Sequence, residues 1–554
     1  MGASLWSNIF FMLGGVAVLM FGMKIMGSNL EQVAGNNMKA LMGKMTNNRF
    51  AGVGVGALVT AIINSSTATT VMLVGFVNVG LMTLTQATSV IMGANIGTTI
   101  TALILAFTGS GFEIEAVAAL ICAIGISITI IFKKDKFVKI GNILVGIGLI
   151  FIGLKILSLS VRGIIYDDFK EKTLKPVFNR IFQGEIFPLV LVIIGLILTA
   201  LVHSSAAITG ILIALGSALK FESAMFIILG SNIGTCVTSL VSSIGTNTNA
   251  KRTAVIHLLF NLFGCIICIV PVWIFGKTFA DFMIKAIPSP EWRIALFHLG
   301  FNLITTIILM PFIKPLVLLA SKIVPESKKS EEKHKLTFID TRLLETPPIA
   351  VSNTKKEILK MSDIAKENFS LAMSMLLDSE IDETELFKEN EDALNFLNKS
   401  ITEFLTKIMG KSISDYDEKR LGTYFHVVSD LERIGDYSEN IVEYSEKLRE
   451  LKAEFSDDAK YELVAVKDLI NKLFEKGVET FRRVDKSLFA EVDEIEQQID
   501  DSALELENRH IERLKTGQCS PEIGSIYLQT VSDLERIGDH ITNVSYSIKN
   551  YRHR

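Results

Sequence analysis

The apolar residues of this 554-residue chain are concentrated between residues 7 and 320, and this uneven distribution constrains the fold more than any other feature. The hydrocarbon core of a bilayer is about 30 Å thick, so a helix needs about 20 apolar residues to cross it. Apolar runs of suitable length occupy residues 7–30, 85–107, 113–132, 139–160, 222–244, 252–275 and 293–320. We therefore predict a polytopic helical membrane domain over residues 1–320, with the lipid bilayer as its partner.

Two further apolar segments, 50–80 and 186–219, are interrupted by the polar clusters Asn64-Ser-Ser-Thr67 and His203-Ser-Ser205. Positive charge favours the cytoplasmic side of a membrane. Four loops are rich in Lys and Arg, at Lys39 to Arg49, Lys133 to Lys139, Lys251–Arg252 and Lys322 to Lys335. Two cytoplasmic loops are separated by an even number of crossings, so each interrupted segment is predicted to be a re-entrant helical hairpin.

The membrane part contains an internal repeat, with copy 1 at about residues 10–133 and copy 2 at about 140–275, followed by a further helix at 293–320. Three blocks recur in the same order. Gly22–Ile25 matches Gly153–Ile156, Gly56–Ser66 matches Gly195–Ser205, and Ile91–Thr98 matches Ile228–Thr235. An odd number of predicted crossings separates equivalent elements, which predicts inverted repeats, an architecture that recurs in transporters.

The interrupted segments are candidates for a binding site, because helices break inside a membrane only where protein or ligand satisfies the freed backbone groups. The N–H groups at a helix start attract anions, and the serine hydroxyls add donors there. The two Asn-Ile-Gly-Thr segments offer oxygen atoms suited to Na⁺. The apolar runs contain no pair of Asp or Glu residues of the kind that would suggest a proton relay. The alternative is that these small residues are helix-packing contacts.

Three histidines lie in apolar segments. His203 adjoins the second serine pair, where it either titrates near neutral pH or acts as a neutral hydrogen-bonding residue. A weaker duplication relates Arg252–Asn261 to Arg293–Asn302, and we interpret its histidines, His257 and His298, as structural.

With its serine-rich turns followed by Gly-Ala-Asn-Ile-Gly-Thr98 and Gly-Ser-Asn-Ile-Gly-Thr235, the chain resembles the sodium–phosphate cotransporter family, type II-like and bacterial, over roughly residues 10–310. The family has Gln before three Ser in each copy, where this chain has Asn64 and His203. The resemblance implies phosphate as substrate and Na⁺ as the co-transported ion. The substrate- and sodium-binding residues that it implies are Ser65, Ser66, Thr67, Asn95, Thr98, Ser204, Ser205, Asn232 and Thr235.

The rest of the chain is predicted to form a linker over 321–350 and a soluble helical domain over 351–554. Six helices are predicted, at 354–378, 383–410, 414–450, 457–482, 487–516 and 521–550. The octapeptide Ser429–Asp436 recurs identically as Ser532–Asp539, which indicates two copies of a three-helix unit. In each octapeptide a Glu and an Asp four residues apart share one helix face.

Acidic residues on these faces are candidate metal ligands, because carboxylates that converge in a bundle can bind metal ions. The alternative is a solvated face with Glu–Arg pairing. The region resembles a PhoU domain, whose two three-helix bundles carry such motifs and which is linked to phosphate regulation. The resemblance implies a divalent or ferric metal held by Glu391, Glu432, Asp436, Glu496, Asp500, Glu535 and Asp539. Copy 1 has Asn395 where copy 2 has Asp500, which predicts a weaker first site.

The fold class expected is therefore all-α, a polytopic transporter with inverted repeats and re-entrant hairpins plus two three-helix bundles. The leading hypothesis is Na⁺-coupled phosphate transport in a prokaryotic plasma membrane, with the PhoU-like domain cytoplasmic and a homo-oligomer possible. Alternatives are a phosphate-sensing receptor or scaffold, a transporter of another oxyanion, and H⁺ coupling. We expect no enzyme and no nucleic-acid partner. The five cysteines, including the Cys265/Cys268 pair, are expected to be packing residues.

Overall fold

The structure is a computed structural model that describes residues 2–44, 48–107, 114–168, 187–216, 219–326, 335–411 and 413–549. Every regular element in these ranges is helical. The chain divides into two compact units, Met1–Lys329 and Ser330–Arg554. Each unit is described by itself below.

The first unit contains thirteen α-helices within the described ranges. They are α1 (Gly2–Lys44), α2 (Arg49–Ile63), α3 (Ser66–Asn78), α4 (Leu84–Ala106), α5 (Ile114–Ile131), α6 (Asp135–Asp168), α7 (Pro188–Val202), α8 (Ser205–Leu215), α9 (Phe221–Gly234), α10 (Cys236–Ser242), α11 (Thr248–Ala286), α12 (Pro290–Leu309) and α13 (Ile313–Ile323).

Six segments of the described chain are long and apolar enough to cross a membrane, at Trp6–Val33, Leu84–Ala106, Asp135–Val161, Phe221–Ser242, Thr248–Ala286 and Pro290–Ile323. Large apolar side chains such as Phe10, Leu201 and Phe275 lie exposed on this unit, while many Ser, Thr and Asn side chains are buried. Exposed apolar area of this extent is unusual for a soluble protein and is suited to lipid. The unit is a membrane domain.

Three predicted spans are present but differ from the prediction in length or in helix continuity. The run predicted at 113–132 forms α5, whose apolar stretch Ala116–Ile131 is shorter than the six long spans, and residue 113 lies outside the described residues. The run at 222–244 is divided at Thr235 into α9 and α10. The run at 293–320 changes to a 3₁₀ turn at Met310–Phe312, because Pro311 has no N–H to continue the α-helical ladder.

Both interrupted segments fold as two helices joined by two residues. Helix α2 ends at Ile63 and α3 begins at Ser66, while α7 ends at Val202 and α8 begins at Ser205. The predicted breaks at the serine clusters are therefore present in both copies. Residues 186 and 217–218 of the second predicted hairpin lie outside the described residues.

Glycines at matching positions bring each hairpin against its Asn-Ile-Gly-Thr helix. A Cβ on Gly93 of α4 would collide with the Val53 carbonyl oxygen of α2, and a Cβ on Gly230 of α9 would collide with the Val192 carbonyl oxygen of α7. Only glycine permits so close a backbone approach. The two copies thus use the same packing to place their polar segments beside their breaks.

Helices α1 and α6, which carry the first matched block of each copy, run antiparallel to each other. A Cβ on Gly15 would lie 3.0 Å from the Gly153 carbonyl oxygen, and one on Gly22 would lie 2.8 Å from the Gly146 carbonyl oxygen. Residue numbers rise along α1 as those of the facing residues fall along α6. Equivalent helices that cross in this way are expected where two repeats are related by a two-fold axis.

The second unit contains six α-helices in its described ranges: α14 (Pro347–Leu377), α15 (Thr384–Met409), α16 (Asp415–Glu450), α17 (Asp457–Arg483), α18 (Phe489–Lys515) and α19 (Pro521–Tyr546). Helices α14–α16 pack together, as do α17–α19, and α16 packs on α19. The buried rings of Phe369 and Phe474, with centroids 6.2 Å apart, join the bundles. The two three-helix bundles predicted from the repeat are confirmed.

The start of the first helix differs most from the predicted boundaries of this unit. Helix α14 begins at Pro347, not at 354, and a 3₁₀ turn at Thr341–Glu345 precedes it. Pro347 and Pro348 lie within the linker predicted at 321–350. Proline is tolerated in the first helical turn, where its missing N–H has no partner to lose, so the two prolines start the helix.

Candidate functional site

The breaks in the two copies have the same backbone conformation. Asn64 has φ 58° and ψ 29°, and His203 has φ 56° and ψ 23°, so both occupy the left-handed region. Asn and His are enriched among the few non-glycine residues found there. Ser65 and Ser204 follow in extended conformations, with φ −151° and −150°. The departures from the family pattern at Asn64 and His203 therefore keep a side chain that tolerates the sharp turn.

Ser65 and Ser204 are the N-caps of the second helix in each hairpin. The Ser65 Oγ accepts from the Ala68 N–H and the Ser204 Oγ from the Ala207 N–H, both at 3.1 Å. Each oxygen is thus engaged in capping, and each hydroxyl hydrogen remains available to donate. Both residues had been predicted as donors to an anion, and the capping role was not predicted.

Ser66 and Ser205 are the first residues of α3 and α8, with 7% and 3% of their surfaces exposed. Main-chain N–H groups in the first turn of a helix have no partner within that helix. A buried serine hydroxyl and the first-turn N–H groups other than the capped ones of Ala68 and Ala207 therefore coincide in each copy, which is the arrangement that suits a small oxyanion.

The two breaks lie next to each other. The Thr67 hydroxyl of copy 1 donates to the His203 main-chain oxygen of copy 2 at 3.4 Å. Copy 2 has Ala206 at the position equivalent to Thr67, so the contact has no counterpart in the reverse direction. The structure brings the two predicted polar clusters into one region.

Sequence interpretation missed Thr101 and Thr238, which hold the two break residues. The Thr101 hydroxyl donates to the Asn64 side-chain oxygen, and the Thr238 Oγ1 lies 2.9 Å from the His203 Nδ1. Both threonines lie three residues after the last threonine of their Asn-Ile-Gly-Thr segment, a shared spacing that was present in the sequence. In the structure His203 forms a side-chain hydrogen bond at the turn, and its proposed pH sensitivity stays a prediction.

Three of the predicted sodium ligands, Asn95, Thr98 and Thr235, use their side-chain donors close by in the chain. The Thr98 hydroxyl donates to the Ala94 oxygen at 3.0 Å, and the Asn95 amide donates to the Ile91 oxygen at 2.9 Å. The Thr235 hydroxyl donates to the Asn232 main-chain oxygen at 2.6 Å. These donors are used within their own helices, and the oxygen lone pairs of the two hydroxyls remain as possible cation ligands.

Copy 2 differs from copy 1 at its asparagine. The Asn232 side chain bonds Asn302 and His298 of α12, whereas that of Asn95 bonds its own helix. Within the described ranges no hydrogen bond joins Asn95 or Thr98 to Asn232 or Thr235. The structure therefore does not link the two predicted sodium-binding segments directly.

In the soluble unit, Glu496, Asp500 and Asp539 form an acidic group whose carboxylate oxygens lie within 4.8 Å of one another. Burial raises the pKa of Asp500, and the neighbouring Asp539 raises it further. Burial, followed by the Asp500 and Asp539 charges, also raises the pKa of Glu535. Hard cations prefer such oxygen ligands, and a bound cation would offset this repulsion, so the residues fit a metal site.

The first acidic group is less compact. In the described part of the chain, a group of three converging ligands occurs at Glu496, Asp500 and Asp539 and not at Glu391, Glu432 and Asp436. The Glu391 carboxylate accepts from the Asn395 amide at 3.1 Å and from the buried Asn368 amide at 3.4 Å. Asn368 was not among the predicted residues. Amide donors there take lone pairs that a metal would use.

Burial raises the pKa of Glu391 to about 7, with further contributions from the Glu439, Asp436 and Glu432 charges. This folded-state pKa is above the ordinary value of 4.5, so the folded unit holds more protons than the unfolded chain between these pH values. Its stability therefore falls as pH rises from about 4.5 to about 7. We expect Glu391→Gln to remove this slope and to stabilise the unit by roughly 1–2 kcal/mol at pH 8, after allowance for its partial exposure.

The measurement is urea unfolding of residues 335–554 in EDTA between pH 5 and pH 8. Glu446→Gln, at an exposed position of α16, is the matched control. A Glu391→Gln variant with the wild-type pH slope would contradict the assignment.

Comparisons with known proteins identify the family of each unit. The description Na+/Pi-cotransporter matches residues 18–159 and 167–305, and the description PhoU domain matches residues 358–445 and 463–548. The chain is 23% identical over 542 residues to the putative inorganic phosphate export protein YjbB of Escherichia coli K12, covering 97% of this chain and 96% of that protein.

Two further similarities cover parts of the chain. It is 37% identical over 87 residues, 15% of this chain and 14% of the relative, to the sodium-dependent phosphate transport protein 2A of Rattus norvegicus. A crystal structure of PhoU from Pseudomonas aeruginosa aligns over 36% of this chain and 94% of that one, with 20% identity and a TM-score of 0.34. From the family matches over both units, the chain belongs to the Na+/Pi-cotransporter family and carries a C-terminal PhoU domain.

Proposed function

We propose that this protein moves inorganic phosphate across the plasma membrane in a transport cycle coupled to Na⁺. The observation that carries the proposal is the pair of matched helix breaks, joined by the Thr67 contact to the His203 main-chain oxygen. Each break ends in a buried serine at a helix start, Ser66 or Ser205. Two helix starts that face one region can donate to one tetrahedral oxyanion from two directions.

Coupling to a cation follows from the charge of these residues. Ser65, Ser66, Thr67, Ser204 and Ser205 are all neutral, so they supply hydrogen bonds to phosphate without cancelling its charge. A co-transported Na⁺ would lower the cost of taking the anion into a membrane. Candidate ligands for it are the oxygens of the two Asn-Ile-Gly-Thr segments, Asn95, Thr98, Asn232 and Thr235.

An inverted relation between the copies completes the proposed mechanism. The antiparallel crossing of α1 and α6 supports it. Repeats related in this way can exchange conformations about a fixed central site, which exposes the site to one side of the membrane at a time.

The PhoU domain is proposed to lie in the cytoplasm and to regulate transport through a bound divalent or ferric metal. Its placement follows from the Lys-rich segment Lys322 to Lys335 that precedes it. We propose no enzymatic reaction and no nucleic-acid partner, and a homo-oligomer is compatible with the exposed apolar surface of the membrane unit.

The test is flux of labelled phosphate in proteoliposomes, with phosphate loaded inside in one set and outside in another. Each set is run with a Na⁺ gradient, a K⁺ gradient and a pH gradient, and with sulfate or arsenate as competitor. We expect flux that requires Na⁺ and is not inhibited by sulfate. Flux driven by the pH gradient alone would assign H⁺ coupling, preferred sulfate transport would assign another oxyanion, and phosphate binding without flux would assign a receptor.

A further inference from the structure

The weak duplication in the membrane unit places two His–Asn pairs around the interruption at Thr235. His257 and Asn261 lie one turn apart on α11, and His298 and Asn302 lie one turn apart on α12. All four side chains are buried, each 1% exposed. The α12 pair contacts α9, before the interruption, and the α11 pair contacts α10, after it.

The hydrogen bonds of the α12 pair fix the orientation of the Asn232 side chain. The Asn302 Nδ2 donates to the His298 main-chain oxygen at 2.8 Å. A carbonyl only accepts, so the Asn302 Oδ1 must face Asn232, whose Nδ2 donates to it at 2.8 Å. The Asn232 Oδ1 then faces the His298 Nε2 at 3.2 Å and must accept from it. His298 is therefore protonated at Nε2.

The same reasoning assigns the other tautomer to His257. We assign the single Ser239 hydroxyl hydrogen to the Cys236 main-chain oxygen at 2.8 Å, and the Ser239 oxygen then accepts from the His257 Nδ1 at 3.0 Å. The Asn261 Nδ2 meanwhile contacts the Cys236 Sγ at 3.3 Å and the His257 main-chain oxygen at 3.1 Å. His257 is therefore protonated at Nδ1.

The second nitrogen of each ring agrees with these assignments. The His298 Nδ1 and the His257 Nε2 are buried, and neither has a hydrogen-bond partner in the described structure. An N–H left in such a place would be a buried unsatisfied donor, so both rings are best described as neutral with that nitrogen unprotonated.

Copy 1 has no comparable arrangement within its described residues. Helix α4 continues through Thr98 to Ala106, and the Asn95 amide donates to its own helix. In copy 2, by contrast, the helix is interrupted at Thr235, directly after Gly234, which is equivalent to Gly97 of copy 1. The duplicated pairs contact the helices on both sides of this interruption.

We propose that the duplicated His–Asn pairs are positioning residues that hold the copy 2 interruption and aim the Asn232 oxygen as a sodium ligand. The proposal rests on the proposed Na⁺-coupled transport. One lone pair of the Asn232 Oδ1 accepts from His298, and the other is left for a cation. The pairs thus make copy 2 the copy that sets the apparent Na⁺ affinity.

The opposite tautomers permit a crossed test in the full-length protein. Gln places its amide near the position of a histidine Nε2, and Asn places its amide near that of Nδ1. We expect His298→Gln and His257→Asn to keep the required donor, whereas His298→Asn and His257→Gln lose it. Each pair of variants removes the same imidazole ring, so loss of ring packing is common to both.

The Na⁺ concentration at half-maximal phosphate flux is the readout. We expect His298→Asn to raise it about tenfold, the effect of one buried hydrogen bond, and to leave the phosphate concentration at half-maximal flux nearly unchanged at saturating Na⁺. His298→Gln should stay within about twofold of wild type. His257→Gln should act as His298→Asn does, and His257→Asn as His298→Gln does. Equal shifts for Gln and Asn at either position would overturn the positioning role.

A second measurement separates this inference from the proposed function. Nitrogen-15 NMR of the labelled imidazoles distinguishes Nε2–H from Nδ1–H, with the Gln variants used for assignment. Wild-type flux that does not depend on Na⁺ would refute the coupling, and the NMR would still decide the two tautomers. The same tautomer at His257 and His298 would refute the hydrogen-bond network itself.

Discussion

Replacing Ser66 or Ser205 with Leu is expected to reduce phosphate flux at least a hundredfold. Both residues begin the second helix of their hairpins and are almost fully buried. A leucine there removes a hydroxyl donor and fills the space in front of the unpaired N–H groups of the first turn. Loss of both contributions combines a missing hydrogen bond to a charged group with steric exclusion of the anion.

Two comparison variants separate these contributions. Ser66→Ala keeps the N–H groups and the space but loses the hydroxyl, and we expect a loss of about tenfold. Ser127→Leu makes the same Ser-to-Leu change on the exposed face of α5 and should leave flux unchanged. Wild-type flux in both Ser66→Leu and Ser205→Leu, with normal amounts of protein in the membrane, would refute the site.

The sequence was sufficient to locate the helix breaks, because a polar Ser-Ser pair in an apolar run is costly unless the helix ends there. The repeat then predicted that both breaks have the same structure, as Asn64 and His203 do. The capping by Ser65 and Ser204 is a local consequence of that turn, and it was missed because both serines were assigned to the ligand.

Contacts between distant segments were not predictable in the same way. The Thr67 contact with His203 depends on how the two hairpins pack, and no local pattern specifies it. The duplicated histidines were interpreted as structural, and the link of His298 to Asn232 required the packing of α12 on α9. The interruption at Thr235 has a continuous helix as its counterpart in copy 1, so the repeat alone predicted no difference.

In the soluble unit, too, the sequence predicted the local features and missed a contact between helices. The identical octapeptides predicted two bundles and placed Glu432, Asp436, Glu535 and Asp539 on equivalent faces. The first bundle has Asn395 where the second has Asp500, which predicted unequal metal sites. Among the described residues, only the acidic side chains of the second bundle converge. The second amide on Glu391, from Asn368 of α14, depends on helix packing within the bundle and escaped sequence interpretation.

Because the acidic side chains converge in the second bundle, we expect metal to reverse the effect of Asp539→Ala on the melting temperature. Without metal, burial raises the pKa of Asp500 and Glu496, and the charge of Asp539 repels both carboxylates and raises their pKa further. Its removal relieves that repulsion, so in EDTA at pH 8 the variant of residues 335–554 should melt at the wild-type temperature or above it. With a bound cation the same carboxylate becomes a ligand, and its loss should lower the melting temperature below that of wild type.

The size of the metal effect follows from linkage. A metal present at about 100 times its Kd stabilises the folded unit by about 2.7 kcal/mol, which for a domain of this size is a rise of roughly 5–10 °C in Tm. We expect Asp539→Ala to remove most of that rise with Mg²⁺, Mn²⁺ or Fe³⁺. Asp436→Ala should remove less, because Asp436 pairs with Arg433 at 3.5 Å and its group is less compact.

Scanning calorimetry of wild type and both variants, each with EDTA and with each metal, gives the comparison directly. Equal losses in Asp436→Ala and Asp539→Ala would mean that the two sites bind metal alike, contrary to the geometry. Identical wild-type melting with EDTA and with all three metals would refute metal binding altogether. In that case the Glu391 carboxyl, whose pKa burial raises to about 7, would make its face less charged near neutral pH, which favours a protein contact over an ion.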